Sequence, residues 1–202
     1  LHLEKIGALF ALKKIEHQYP HCWRCHKPVI FRATSQWFCS VDDFKDDAVK
    51  AAEDVKWFPE WGKDRLQSMV KERADWCISR QRKWGVPIPV VYCQDCGKEI
   101  IDNDIMMKVS KIFGEEGSDA WFAHDTEYFL PEGFKCPHCG SAKGFDKEKD
   151  IMDVWFDSGS SHAAVCARRK YLKVPADVYL EGADQYRGWF QSSLLTSVAG
   201  GH

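Results

Sequence analysis

Six of the nine cysteines stand in three C-x-x-C pairs, Cys22/Cys25, Cys93/Cys96 and Cys136/Cys139. This is the spacing of metal knuckles rather than of a disulfide framework, and an odd cysteine total leaves at least one thiol unpaired. The second and third pairs have the form C-x-x-C-G, each entered from a short apolar stretch, Val90-Val91-Tyr92 and Phe134-Lys135. Glycine after the second cysteine permits the positive φ that turns backbone N–H groups toward sulfur. Two such knuckles supply the four ligands of a tetrahedral Zn²⁺ and leave no open position for a reactive water. Cys93, Cys96, Cys136 and Cys139 are therefore expected to hold a structural zinc. The intervening residues 97–135 exceed the usual finger spacing and must form either a subdomain or a flexible excursion. The first pair is weaker. His21 and His26 lie too near Cys22 and Cys25 in sequence to complete a tetrahedron easily. The pair is either half of a site whose other cysteines precede Leu1 or simply two reduced thiols. Cys39, Cys77 and Cys166 read as packing residues. Thiols in this pattern point to a reducing cytoplasm.

The remaining composition excludes several classes. With 45% apolar residues the chain can bury a core. A formal charge of −2 announces no global basic field for nucleic acid. No stretch approaches the roughly 18 apolar residues of a membrane span. The chain begins at Leu1 without an initiator Met and ends Gly200-Gly201-His202, so it reads as a piece of a longer protein.

The apolar spacing of Leu3, Ile6, Leu9, Phe10, Leu12 and Ile15 suggests a helix over residues 1–16. Strands are expected at Pro28–Thr34 and Gln36–Ser40. Helices are expected from about Phe44 to Val55, capped by Ser40 or Asp42, and from Gly62 to Arg73 with Leu66, Met69 and Val70 facing inward. In Asp75–Pro89, three cations, Arg80, Arg82 and Lys83, sit between Trp76 and Trp84; such a mixture either holds phosphates or stacks a base, or is a solvated turn with its tryptophans in the core. Residues 141–152 read as a polar linker. Asp153-Val154-Trp155-Phe156-Asp157-Ser158-Gly159 reads as a strand ending in a turn. Asp157, Ser160 and His162 are too close in sequence for a hydrolytic triad, and no P-loop or G-x-G-x-x-G is present.

The segment Val178–Phe190 starts as a short apolar run, passes through Glu181, Gly182 and Asp184, and opens an apolar helical pattern at Arg187-Gly188-Trp189-Phe190. In open α/β sheets, ligands sit where a strand gives way to a helix. Glycine there admits close approach of the backbone, and a carboxylate can take two sugar hydroxyls. The residues alone allow either a ribose or nucleotide site or a plain strand-to-helix turn with Asp184 as its cap.

Five blocks, in order, resemble the isoleucyl branch of the class I aminoacyl-tRNA synthetases over essentially the whole chain. They are Pro20–Cys25, Phe31–Phe38, Asp75–Gln81, Asp153–Ser160 and Leu180–Phe190. The valyl branch shares the first and third blocks but typically differs in the last two. Gln185-Tyr186 departs from the histidine common in relatives. The resemblance implies a mixed α/β fragment of a Rossmann-type catalytic domain with connective insertions and a zinc-ribbon-like unit. It divides the chain into a returning stem and connective segment after the editing insertion (1–90), the zinc-ribbon-like insertion (91–150) and the start of the second Rossmann half (151–202). It further implies that Glu181 contacts the aminoacyl-adenylate and that Gly182, Asp184 and Gln185 hold the ribose region. Trp155 and Trp189 would wall the aliphatic pocket. The parent would be a monomeric cytoplasmic ligase using isoleucine, ATP with magnesium, and tRNA(Ile). The family's HIGH and KMSKS motifs would lie upstream and downstream, so no catalytic residue is expected within this chain and the piece alone should be inactive. The alternatives are a zinc-ribbon nucleic-acid-binding module or a valyl-like relative.

Overall fold

The computed structural model describes residues 2–202, which divide into two compact units meeting between Ser35 and Gln36. Among the described residues of the first, only α1 (His2–Lys5) is helical. The helix expected to run to residue 16 is not formed, and Leu1 lies outside the described residues. Leu3, Ile6, Phe10, Leu12 and Ile15 are all exposed, so the apolar stripe finds nothing to pack on, and an isolated helix of that length is marginal in water. Residues Pro28–Thr34 are likewise not a strand. They are held by a bridge between His21 and Pro28 and by the Tyr19 hydroxyl, which donates to Val29 O at 2.6 Å.

The second unit begins with β1 (Phe38–Cys39), α2 (Lys45–Ala51) and α3 (Trp61–Lys71). Phe44, not Ser40 or Asp42, stands at the start of α2; Asp42 instead pairs with Lys45 at 2.6 Å. Leu66 and Val70 are buried and Met69 packs against the same core, as the apolar spacing predicts. Next come β2 (Trp76–Cys77), β3 (Ser79–Arg80), β4 (Val91–Cys93) and β5 (Glu99–Ile100). The long interval between the second and third cysteine pairs is a helical subdomain of α4 (Asn103–Glu116), α5 (Ala120–Ala123) and α6 (Thr126–Phe129). Asp102 caps α4, accepting from the N–H groups of Asp104 and Ile105.

The chain continues through β6 (Phe145–Lys147), β7 (Ile151–Met152), α7 (Val154–Gly159), α8 (Ser161–Ala164), a 3-10 turn at Ala183–Arg187 and α9 (Trp189–Ala199). Three small antiparallel sheets pair β1 with β2, β3 with β7, and β4 with both β5 and β6. Three expectations change here. Residues 141–152 are not a linker: β6 and β7 complete two of the sheets. The Val154–Gly159 segment is a helix, because Asp153 accepts from Trp155 N–H and starts one. Val178–Leu180 forms no strand and has no ladder partner among the described residues, with Val178 and Leu180 exposed.

Two cores result. One gathers Val91, Ile100, Ile105, Val109, Trp121, Phe129 and Phe145 around the paired knuckles. The other gathers Val41, Ala48, Leu66, Val70, Trp76, Tyr186 and Leu195. Glu148 links segments on either side, accepting from the Trp37 indole at 2.7 Å and the Tyr92 hydroxyl at 2.5 Å. Among the described residues no helix is long and apolar enough to cross a membrane.

Candidate functional site

The four cysteines of the second and third pairs converge. Their Sγ atoms all lie within 4.8 Å of one another, and Cys93–Cys139 and Cys96–Cys136 are each 3.7 Å apart. Thiolates about 2.3 Å from a tetrahedral zinc stand about 3.8 Å from each other, whereas a disulfide would bring two sulfurs to about 2.0 Å. The two knuckles are built alike. Cys93 N–H donates to Lys98 O and Gly97 N–H to Cys93 O; Cys136 N–H donates to Ser141 O and Gly140 N–H to Cys136 O. Gly97 and Gly140 take φ of 69° and 73°, the left-handed turn a side chain would strain. Burial opposes charge on Cys136, but the N–H groups of His138 and Cys139 and the neighbouring thiols outweigh it and hold that thiol down to about 6. At Cys139 the Ser141 N–H favours the thiolate, while burial and the other three sulfurs push it up to about 12. Four thiols crowded this closely cannot all ionise without a cation among them. The donor set and its spacing suit a four-coordinate metal.

The Cys22/Cys25 pair has the same backbone. Cys22 N–H donates to Lys27 O and His26 N–H to Cys22 O, both at 2.8 Å, and His26 has a φ of 57°. Backbone N–H groups of Cys25 and Arg24 lower the Cys22 pKa. His21 turns away from the pair, its Nδ1 against Tyr19 O.

At the other end of the chain, α7 and α9 pack tightly. A Cβ on Gly159 would come 2.8 Å from the backbone of Ser192, so only glycine permits this approach. The Trp189 indole donates to Ser158 O at 2.9 Å. The tip of Trp155 lies over Gly188, where an added Cβ would be 3.1 Å from its ring. Gln185 Oε1 accepts from Trp189 N–H, the first of α9, at 2.9 Å, while its Nε2 donates to Asp184 Oδ2 at 3.2 Å. Asp184 Oδ1 in turn sits beside Gly182, 2.8 Å from where a Cβ would be. The fold thus draws Trp155, Gly182, Asp184, Gln185 and Trp189 along one edge. Glu181, next to Gly182 in the chain, has an exposed side chain. Asp184 is not the helix cap: Gly188 stands at the N-cap of α9. A hollow of about 330 Å³ lies elsewhere, lined by Phe156, Ser160, His162, Thr196 and the turn after α9, and none of these six residues lines it. Ser160 and His162 bond backbone carbonyls, not each other.

The family model for class I tRNA synthetases (I, L, M and V) matches residues 8–200. The chain belongs to the class I tRNA synthetases. It is similar to proteins named isoleucine--tRNA ligase from Caldicellulosiruptor bescii (64% identical over 197 residues), Caldicellulosiruptor saccharolyticus (62% over 197) and Carboxydothermus hydrogenoformans (61% over 200). Each alignment covers 98% of this chain but only 21–22% of the relative, so the chain spans about a fifth of the length of these synthetases.

The contacts of three residues in this synthetase segment were not legible in the sequence. Asp153 is buried and accepts from the Trp76 indole at 3.0 Å, from Arg80 at 2.9 Å and from Trp155 N–H, so one carboxylate joins the β3 strand end to the helix that carries Trp155. Burial, with Asp153 nearby, raises the pKa of Asp157 one turn on. Tyr179 stacks on Trp189 at 4.1 Å and shares a hydrogen bond with Ser193. The two acids were visible within a quoted motif, but nothing in their spacing distinguishes a buried carboxylate from an exposed one.

Proposed function

We propose that this chain is part of an ATP-dependent isoleucine--tRNA ligase and supplies one wall of its aminoacyl-adenylate site. The observation that carries the reading is the identity of 61–64% across 98% of the chain to relatives bearing that name. Convergence of Trp155 and Trp189 beside Gly182, Asp184 and Gln185 supports it. The two indoles offer flat apolar faces for a branched alkyl chain. Glu181 contacts the adenylate, and Gly182, Asp184 and Gln185 hold the ribose region. Discrimination of one methylene in such a pocket is worth only about 1–3 kcal/mol. ATP with magnesium, isoleucine and tRNA(Ile) are the substrates of the whole protein, a cytoplasmic monomer. Positioning and electrostatic stabilisation do most of the work of such a reaction. Glu181, Asp184 and Gln185 would position the adenylate.

Residues 1–90 form the returning stem and connective segment, 91–150 a zinc-ribbon-like insertion and 151–202 the start of the second Rossmann half. The 3.7 Å sulfur spacings support zinc at Cys93, Cys96, Cys136 and Cys139, where the ion would hold the two knuckles together. The shared knuckle backbone supports Cys22 and Cys25 as half of a second site completed by other residues of the full-length protein. The chain contains neither HIGH nor KMSKS and is inactive alone. Isoleucine-dependent exchange of pyrophosphate into ATP tests the reading. The full-length protein should catalyse it and residues 1–202 should not; exchange by the isolated chain, or none by the full-length protein, would overturn it.

A further inference from the structure

The loop Gln81–Val86 leaves and re-enters the fold at one point. Arg80 and Pro87 both pair with Ile151 on β7, one on each side of the excursion. Its base is fastened on both sides. Arg80 is bound to Asp153, and Gln81 Nε2 donates to Asp150 at 2.5 Å and to Gln36 at 3.1 Å. On the return side, Met152 N–H donates to Val86 O at 2.7 Å, and Gly85 lies so close to Ile151 that a Cβ would be 2.4 Å from its Cδ1. A loop closed at its neck in this way holds its tip in place, and compact loops of this kind are frequently functional.

The tip carries Arg82, Lys83 and Trp84, all exposed. Trp84 is 94% exposed, more than any other tryptophan of the chain, and packs on nothing. Arg82 and Lys83 form no ion pair among the described residues, whereas Arg80, at the neck, spends its charge on Asp153. The fold therefore gains nothing from these three side chains, yet holds them together on a braced support. Two unpaired cations beside a bare indole match one chemistry well: phosphates for the cations and the face of an unstacked base for the ring. Paired bases hide their faces in the stack, so the ring selects an unpaired strand.

We infer that the Arg82-Lys83-Trp84 tip is a docking point for a single-stranded stretch of nucleic acid, which, resting on the function proposed above, is an unpaired segment of the tRNA. Trp84 stacks on one base while Arg82 and Lys83 neutralise flanking phosphates. The contact is tolerant of sequence, because every base has a face to stack.

The test uses the full-length protein and a tRNA(Ile) transcript, with two assays kept apart. Trp84→Ala is expected to weaken tRNA binding, measured by filter retention, roughly tenfold, and to leave isoleucine-dependent pyrophosphate exchange unchanged. Trp84→Phe, which keeps an aromatic face, should restore most of the loss. The double variant Arg82→Gln/Lys83→Gln should flatten the slope of log affinity against log salt by about 1.4, two contacts at about 0.7 each. Unchanged tRNA affinity in Trp84→Ala overturns the proposal. So does a joint loss of exchange and tRNA binding, which would mean that another segment of the protein covers the indole. A wild-type protein without exchange overturns the functional reading instead, leaving the loop to be judged on its RNA affinity alone.

Discussion

Residues 91–147 and residues 171–182 handle the same problem in opposite ways. The first stretch closes on itself. Its strands pair with one another, its helices bury Ile105, Val109, Trp121 and Phe129, and its four cysteines point inward to a common centre. The second remains open. Val178 and Leu180 stand exposed without a ladder partner among the described residues, and Tyr179, stacked on Trp189, ties the segment to α9. The difference is between a unit whose side chains are largely buried among themselves and a stretch whose side chains are exposed. On this account, residues that hold the first stretch together should matter to folding, and residues along the second should matter to ligands.

The largest expected effect breaks the closed unit. Structural zinc contributes up to roughly 10–16 kcal/mol in finger peptides, so chelation, or Cys136→Ser, should unfold residues 91–147 while the core around Val70 and Leu195 survives. Amide exchange at Ile105 and Val109 against that at Val70 reads this directly; equal protection with and without metal would erase the contrast. Phe129→Ala should come next. The ring is fully buried and 4.8 Å from Trp121, and its removal should cost about 3–5 kcal/mol by urea titration.

Asp153→Ala probes the junction between the rigid body and the open face. It removes the carboxylate partner of Arg80, which keeps its bonds to Cys77 O and Ser79 O, leaves the Trp76 indole unsatisfied and uncaps α7. Breaking a buried pair costs about 3–5 kcal/mol, less here because Arg80 is partly solvated, so about 2–3 kcal/mol is expected. Asp153→Asn, which keeps an acceptor for the cap, should lose less.

The smallest effect concerns pH. Tyr128 and His124 both bond Glu116, at 2.6 and 2.8 Å, and lower its pKa, the Tyr128 bond most. A depressed carboxylate stabilises the fold above its ordinary value of 4.5 and ceases to as pH falls through its lowered value. Tyr128→Phe should move the Glu116 titration back up, as followed by carboxyl NMR; an unmoved titration would dismiss the bond.

Much of the closed unit was legible in the sequence because cysteine spacing is a local code for a non-local site. The knuckle geometry at Cys93, Cys96, Cys136 and Cys139 follows from C-x-x-C-G alone, and α3 follows from Leu66, Met69 and Val70. Less was legible where local signals were short. Val154-Trp155-Phe156 is an apolar run too brief to tell helix from strand, and the cap supplied by Asp153 decided for helix. Residues 141–152 look polar because Phe145 is the one bulky side chain that β6 buries; its partnership with β4 depends on a register no local pattern encodes. The stripe from Leu3 to Ile15 has helical spacing but no surface to bury it. At the open edge, motif order marked Trp155, Glu181, Gly182, Asp184, Gln185 and Trp189, but could not show that Gln185 accepts from the first N–H of α9 or that Asp153 sets the base of α7.

The account turns on whether the indole of Trp155 faces isoleucine. Its most direct test is the KM for isoleucine in pyrophosphate exchange by the full-length protein carrying Trp155→Ala, with valine measured alongside. The account predicts a KM for isoleucine raised roughly ten- to hundredfold and a reduced preference over valine, corresponding to the about 1–3 kcal/mol an apolar pocket wall provides. An unchanged KM and an unchanged preference in a folded variant would contradict it.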